Sequence, residues 1–435
     1  MQGFLTPDIN HLTSEECNFL SVRIFKNLHY ADDSKRLTTN NKQNFNKLYG
    51  DKITVQHILF RKKENEMGVH LKSLRIDGFK GIQNFELDHL NHINILTGDN
   101  NSGKTSVLEL LSTIHSPQHL GSWTSTLRNN YFSYEGFYFD ALYNLFPVDY
   151  ELERPISYSY TDNNDRIHRI ILLGEIEETQ VTNEERNSID RFIVARRDKT
   201  EEDSTILYDT QCLHLKIEGS DFSTKEYEIY DFQKRISHFV PRKPSDGIKT
   251  VYVSPTDHAK YFSLQEVLTH IELRDDLVRL LHEFDENIDS LVATDKGISY
   301  VKRGVEYLVL TNNHKKALPL SSYGDGMKKT LLIVSAMLQA KNGILLLDEF
   351  ETAIHTSAMN HVFSWLIKCA LNLNVQVFLT SHSKEAINKV LRCDETLKSS
   401  ISYYTLYNYN NNNLVRYLTC EDAIIMQDKG GVDIR

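Results

Sequence analysis

A chain of 435 residues has room for one large or two medium domains with an ample core. Charged residues make up 25% and hydrophobic residues 40%, as in an ordinary globular protein, and the formal net charge of −10 argues against wholesale coating by nucleic acid. No apolar run reaches the length of a membrane span and no secretion signal opens the chain; the five cysteines (Cys17, Cys212, Cys369, Cys393, Cys420) are dispersed without Cys-x-x-Cys spacing, which points to a reducing cytoplasm and away from a zinc site.

Residues 1–66 are rich in Asn and Lys and only weakly periodic, with a helical stretch near Ser14–Leu28 and the run Arg61-Lys62-Lys63 before Glu64. They read as an N-terminal extension, or as an upstream start that the cell does not use, because Met67 opens the main domain of residues 67–435. His92 to Thr97 reads as a buried strand, and Ser106 to Leu111 as the first turns of a helix with an apolar stripe. Between them lies Gly98-Asp99-Asn100-Asn101-Ser102-Gly103-Lys104-Thr105, a complete phosphate-binding loop. Strand, glycine-bounded loop and helix N-terminus together aim consecutive N–H groups and the positive end of a helix dipole at an anion. Gly98, Asn100, Asn101, Ser102, Gly103, Lys104, Thr105 and Ser106 are therefore the candidate contacts to a nucleoside triphosphate. Lys104 is expected on the β- and γ-phosphates, and the Thr105 hydroxyl on Mg²⁺.

About two hundred residues follow before the next chemical motif, and no sustained heptads run through them, which excludes a long coiled-coil rod. Gln118–Asp149 is rich in aromatics (Trp123, Tyr131, Phe132, Tyr134, Phe137, Tyr138, Phe139, Tyr143, Phe146) and reads as a packed helical cap. Strands are expected near Ile156–Tyr160, Ile167–Ile176, Leu213–Ile217 and Tyr227–Phe232. Arg191, Arg196, Arg197 and Lys199 form the densest basic run past the phosphate loop; the run reads first as a solvated face, with contact to DNA as its alternative. Thr250 to Pro255 reads as a strand and turn. Helices are expected from Leu264 to Val292, with Glu283–Asp289 as a solvated acidic helix face. A strand pair, Ile298–Arg303 and Gly304–Thr311, closes this insertion, which spans residues from about 112 to 315.

Leu318-Pro319-Leu320-Ser321-Ser322-Tyr323-Gly324-Asp325-Gly326-Met327 precedes a helix predicted over Lys328–Gln339, with Leu331, Leu332, Val334, Met337 and Leu338 at helical spacing. Ser322, Gly324 and Gly326 at that N-terminus form a second anion-binding candidate, which makes sense if it caps the nucleotide of a neighbouring subunit. Ile344 to Leu347 is aliphatic throughout, as for a strand buried on both faces, and ends in Asp348 and Glu349. Asp348 is placed on the Mg²⁺ shell, and Glu349 as the general base that polarises water. A third strand, Val375 to Thr380, runs into Ser381-His382-Ser383, and His382 is placed as a γ-phosphate sensor.

Four elements in this order resemble ABC-type ATPase heads of the RecF/SMC kind. More closely, they resemble the ATPase part of the OLD (overcoming lysogenization defect) proteins and their stand-alone relatives among AAA-family ATPases. Leu71 to Ile82 resembles the family's first strand and turn, Leu318 to Met327 its signature segment, Asp348 to His355 its acidic strand and following loop, Thr380 to Ser383 its switch, and Gly430 to Arg435 its tail. The resemblance implies an α/β P-loop NTPase with an ABC-type head: a mixed sheet, an antiparallel β-subdomain and a helical insertion. It implies ATP and Mg²⁺, a homodimer closed over nucleotide, and a separately encoded nuclease or toxin as effector in anti-phage defence. A RecF-like repair ATPase that binds DNA is the alternative, and a nucleotide-gated scaffold a third. Two departures stand out: Tyr323 and Gly324 interrupt the serine–glycine run of the signature, and Gln118 is the only glutamine between residues 106 and 160. OLD proteins continue into a TOPRIM-type nuclease, whereas no Asp-x-Asp follows His382, so no nuclease is expected in this chain.

Overall fold

The computed structural model describes residues 69–124, 126, 138–147, 154–189, 206–233, 247–269, 271–296, 304–409 and 412–430, all within the compact unit Asn65–Arg435. The expected N-terminal extension, the basic run Arg191–Lys199, the aromatics Tyr131–Phe137 and the tail from Gly431 lie outside the described residues.

The first strands are β1 (Leu71–Phe79), β2 (Ile82–Leu87) and β3 (Ile93–Gly98), and helix α1 (Lys104–Thr113) follows directly from the phosphate loop. Two short helices, α2 (Leu120–Thr124) and α3 (Tyr138–Tyr143), come next, with Trp123, Phe139 and Phe146 buried as core. Four strands then enclose one helix: β4 (Ile156–Asp162), β5 (Ile167–Thr182), α4 (Asn183–Ile189), β6 (Leu207–Gly219) and β7 (Phe222–Tyr230). After β8 (Thr250–Val253) come α5 (Gln265–Thr269), α6 (Ile271–Leu281), β9 (Ile288–Lys296), β10 (Gly304–Thr311) and β11 (Leu318–Pro319). The last part holds α7 (Asp325–Gln339), β12 (Ile344–Leu347), α8 (Thr356–Asn372), β13 (Gln376–Thr380), α9 (Lys384–Leu391), β14 (Ile401–Tyr409), β15 (Asn412–Thr419) and α10 (Cys420–Gly430).

Three sheets result. An antiparallel one runs β2-β1-β4-β5-β6-β7, a small one β11-β10-β9, and the central one β15-β14-β3-β13-β12-β8. In the central sheet β14, β3, β13, β12 and β8 are parallel, and only β15 is antiparallel, so the sheet is mixed. Alternation along its strands decides what covers each face. Ile93, Ile95, Leu345, Leu347, Val377 and Leu379 share a core with side chains of α7, α8 and α9. Leu96, Ile344, Leu346, Phe378 and Tyr404 point the other way, into a core with α1, β1 and β2. Every residue of β3, β12 and β13 is buried. Burial contributes about 2 kcal/mol for each large aliphatic side chain, which is why runs this apolar become the spine of the domain. Gln376 joins the two larger sheets: its side-chain oxygen accepts from the N–H groups of His70 (3.0 Å) and Leu71 (2.8 Å), and its amide donates to the carbonyls of Leu71 (2.9 Å) and Asn91 (3.0 Å).

The insertion departs from the sequence reading in places. Helix α6 stops at Leu281, and Val292 belongs to β9. β10 pairs with Ile288–Lys296, while the expected strand Ile298–Arg303 lies outside the described residues; Glu283–Asp289 forms a turn and the start of a strand rather than a helix face. β-branched and aromatic residues near Leu291 pair across the sheet, and that pairing outweighs the helical pattern upstream. Strands β5 and β6 are also longer than expected, at 16 and 13 residues. Among the described residues no helix is long and apolar enough to cross a membrane. Cys212, Cys369, Cys393 and Cys420 are free thiols.

Candidate active site

Because β3 runs parallel to both neighbours, its C-terminal end opens on the same edge as those of β13 and β12, the edge where open α/β sheets take their ligands. The phosphate loop leaves there through two glycines in the left-handed region, Gly98 (φ 135°) and Gly103 (φ 96°). A Cβ at Gly98 would collide with the Leu406 carbonyl oxygen, and one at Gly103 would lie 3.1 Å from Ile82 Cγ1, so both positions need glycine for shape as well as dihedral. Asn100 and Asn101 are exposed at the loop's apex, Ser102 is buried, and Gly103 caps α1, placing Lys104, Thr105 and Ser106 in its first turn.

Lys104 is only 4% exposed and bends back over the loop, donating to the carbonyls of Gly98 (2.8 Å) and Asp99 (2.7 Å) and to Ser102 Oγ (3.3 Å). Burial lowers its pKa, against the pull of Asp348, Asp99 and Glu349. An asparagine chain holds the apex from the other side. The Gln83 N–H donates to Asn413 Oδ1 (2.9 Å), Asn413 Nδ2 to Asn408 Oδ1 (2.6 Å), and Asn408 Nδ2 to the Asn101 carbonyl (3.1 Å).

Asp348 lies at the end of β12, 4% exposed, among three hydroxyls. Thr105 (3.2 Å) and Thr380 (2.6 Å) donate to Oδ1, and Tyr252 donates to Oδ2 (3.1 Å). Burial, with Asp348 and Glu109 behind it, pushes the Tyr252 phenol well above its ordinary range, so it stays a donor. Glu349 takes a left-handed backbone (φ 42°), and its N–H donates to Thr380 Oγ1 (2.8 Å). That turn leads its half-exposed carboxylate to 3.9 Å from His382 Nε2. Glu351, two residues on, accepts at Oε1 from Ser381 Oγ (2.8 Å) and from the N–H groups of His382 (3.1 Å) and Ser383 (3.2 Å). The fold thus brings Lys104, Thr105 and Asp348 together, with Glu349 beside His382.

Ser322, Gly324 and Gly326 make their described contacts elsewhere. Ser321, Ser322, Gly324 and Asp325 are exposed, and α7 begins at Asp325, three residues before the expected Lys328, because Gly324 serves as its N-cap. A Cβ on Gly324 would meet nothing within 4 Å, whereas one on Gly326 would stand 2.7 Å from the Ala353 carbonyl oxygen. One turn into the helix, Lys329 is fully buried and donates to the carbonyls of Ser254 (3.2 Å) and Pro255 (3.4 Å). Desolvation drives its pKa down to about 8, even though Asp257, Asp348, Glu351 and Glu349 all oppose the shift.

Tyr252, Lys329 and the asparagines Asn408 and Asn413 were not singled out as site residues by the sequence, while Thr380 and Glu351 entered only as members of the switch and of the loop after the acidic strand. Their roles depend on register: Tyr252 faces Asp348 because Leu346 pairs with Tyr252. The only local sign was a hydroxyl-bearing aromatic in a short, half-buried strand.

A parallel sheet flanked by helices, with a glycine-bounded loop between strand and helix and an acidic strand end beside it, defines an α/β P-loop NTPase. The chain belongs to the AAA domain family described as putative AbiEii toxin, Type IV TA system, whose match spans residues 93–388. It is similar to an ATP/GTP phosphatase of Helicobacter pylori, 23% identical over 389 residues, covering 81% of this chain and 99% of that protein. An uncharacterized protein of Methanocaldococcus jannaschii is 34% identical over 114 residues, 26% of this chain and 98% of its own length. Solved structures that align with it include an SMC head bound to the C-winged helix domain of ScpA (13% identity, 81% of this chain and 99% of that one, TM-score 0.43). The SMC head domain from Thermotoga maritima also aligns (10% identity, 80% and 99%, TM-score 0.36).

Proposed function

We propose that the chain is a cytoplasmic ATP-hydrolysing switch that dimerises over nucleotide and controls a separate effector, a nuclease or toxin, in bacterial anti-phage defence. The observation that carries the reading is the meeting of Thr105 and Asp348 beneath Glu349 and His382, residues from both ends of the described chain. Lys104 binds the phosphates, and the loop N–H groups between Gly98 and Ser106 orient them. Glu349, partly open to solvent, takes the proton of the attacking water at its carboxylate, and His382 senses the γ-phosphate beside it.

Asp348 and Thr105 offer adjacent hard oxygen donors, the set that Mg²⁺ takes alongside substrate phosphates, so the residues fit that ion; when bound it neutralises phosphate charge. Ser322 and Gly324 are exposed at the start of α7, with Gly326 in its first turn, which supports a contact to the nucleotide of a second copy. The family description supports a toxin–antitoxin or defence setting, and the order of motifs supports the OLD-like assignment.

Glu349→Gln tests the chemistry. It should keep ATP affinity, lower kcat by about a hundredfold or more, and accumulate a larger ATP-dependent species on gel filtration. Unchanged turnover would remove Glu349 as base. Incubated alone with DNA and Mg²⁺ or Mn²⁺, the purified chain should leave the DNA intact, because the effector is another protein. Cleavage that survives the loss of ATP binding but disappears on substitution of a residue outside the ATP site would overturn that part.

A further inference from the structure

The loop that carries His382 is tied down by a carboxylate to which the proposed chemistry gives no task. Glu351 lies in the turn between β12 and α8, and one of its oxygens, Oε1, accepts from a hydroxyl and two successive backbone N–H groups, at Ser381, His382 and Ser383. Ser381 is completely buried, and the Ser383 hydroxyl accepts from the Ala386 N–H (3.2 Å) to cap α9. The segment is therefore fixed at both ends, with His382 in the middle and its Nε2 3.9 Å from Glu349 Oε1.

The second oxygen, Oε2, is buried without a hydrogen-bond partner. A buried acceptor left unmade is costly, and groups that bear such a cost in folded proteins usually do more than pack. A general base must reach a water molecule. Oε1 is already saturated by three donors and Oε2 is shut off from solvent, so Glu351 is badly placed to be the base. Glu349 is half-exposed and two residues away.

We propose that Glu351 is a positioning residue for ATP hydrolysis: its carboxylate fixes the Ser381–Ser383 loop so that the His382 ring is held beside Glu349. This rests on the reading of His382 and Glu349 as the pair that faces the γ-phosphate. Glu351 and Glu349 are among the four acids whose charges oppose the fall in the pKa of the buried Lys329, on α7.

Steady-state ATPase assays on the full chain test the assignment with His382→Ala, Glu351→Ala, Glu351→Gln and the double variant Glu351→Ala/His382→Ala. Misplacing a catalytic group costs one to two orders of magnitude, so Glu351→Ala should lower kcat by about tenfold or more while KM for ATP stays within about twofold. Glu351→Gln should remain within about threefold of wild type, since its amide oxygen still accepts from all three donors. The double variant should be no slower than His382→Ala alone. Should Glu351→Ala fail to fold, Ser381→Ala removes one donor from the other side, and its smaller loss of kcat should vanish when His382 is already Ala. A Gln variant as inactive as the Ala variant overturns the proposal, as does a double variant well below either single one. If His382→Ala is slow and neither Glu351→Ala nor Ser381→Ala is, the positioning role alone is wrong. If His382→Ala turns over normally, the reading of His382 fails first and the positioning role falls with it.

Discussion

The two candidate nucleotide-contacting regions are built in opposite ways. The side chains of Lys104, Thr105 and Asp348 already have partners inside the chain, and the backbone beside them adopts left-handed turns. Around Ser321–Asp325 the two serines and Gly324 are exposed, and a Cβ on Gly324 would meet nothing within 4 Å. The first region is preorganised by its own fold. The second is an exposed surface, open to the contact proposed for another copy.

The sharpest attempt to break that contrast is Lys104→Ala. If the buried region supplies the phosphate charge compensation, ATP binding should disappear in a direct titration, with no rescue from the exposed region. Undiminished affinity would sink the comparison outright. Next come the two glycines of the exposed region, which should behave differently. Gly326→Ala drives a methyl against the Ala353 carbonyl, so thermal unfolding should show about 1–3 kcal/mol lost with or without ATP. Gly324→Trp enters open space at an ordinary φ of −64°, so stability should change by less than about 1 kcal/mol while the ATP-dependent dimer is lost. Equal effects on stability, or an intact dimer in Gly324→Trp, would erase the distinction.

The smallest effect concerns Lys329, which links the two. Its folded pKa is near 8, against about 10.4 in an unfolded chain, so between those values the unfolded state holds a proton that the folded state has released. Stability from this group must then rise with pH, by about 1 kcal/mol from pH 8 to 9. The slope of stability against pH in that window should be shallower in Lys329→Met than in wild type, and identical slopes would place the ammonium elsewhere.

The parallel spine was legible because a strand buried on both faces leaves an unbroken aliphatic signature, as in Ile344 to Leu347, and because the phosphate loop is a local motif whose geometry depends on two glycines. The β9–β10 pairing was not. Alternation near Ile288–Lys296 competes with a helical pattern upstream, and only the partner strand settles it. Tyr252 and Glu351 were hidden for another reason. Nothing near Tyr252 in sequence says that Asp348 will lie beside it, since the contact spans 96 positions and exists only once β8 and β12 are in register. Glu351 could be noticed as an extra acid after Glu349, but which of its oxygens is occupied, and by what, is a property of the folded loop.

The strand that launches the phosphate loop receives both of its sheet neighbours from far along the polypeptide. Asn94 donates to the Val377 carbonyl across 283 residues, and Gly98 finds its register partner at Leu406. During synthesis β3 therefore emerges long before either flank exists, and at roughly 5–20 residues per second the wait is on the order of fifteen seconds to a minute. Over that interval Ile93, Ile95 and Leu96, buried in the finished domain, have no sheet to enter. A nascent chain cannot be rescued by ATP, because the pocket that would bind it is incomplete until β13 and β14, as far as Leu406, have emerged. Whatever keeps those aliphatics from aggregating must act before the substrate can.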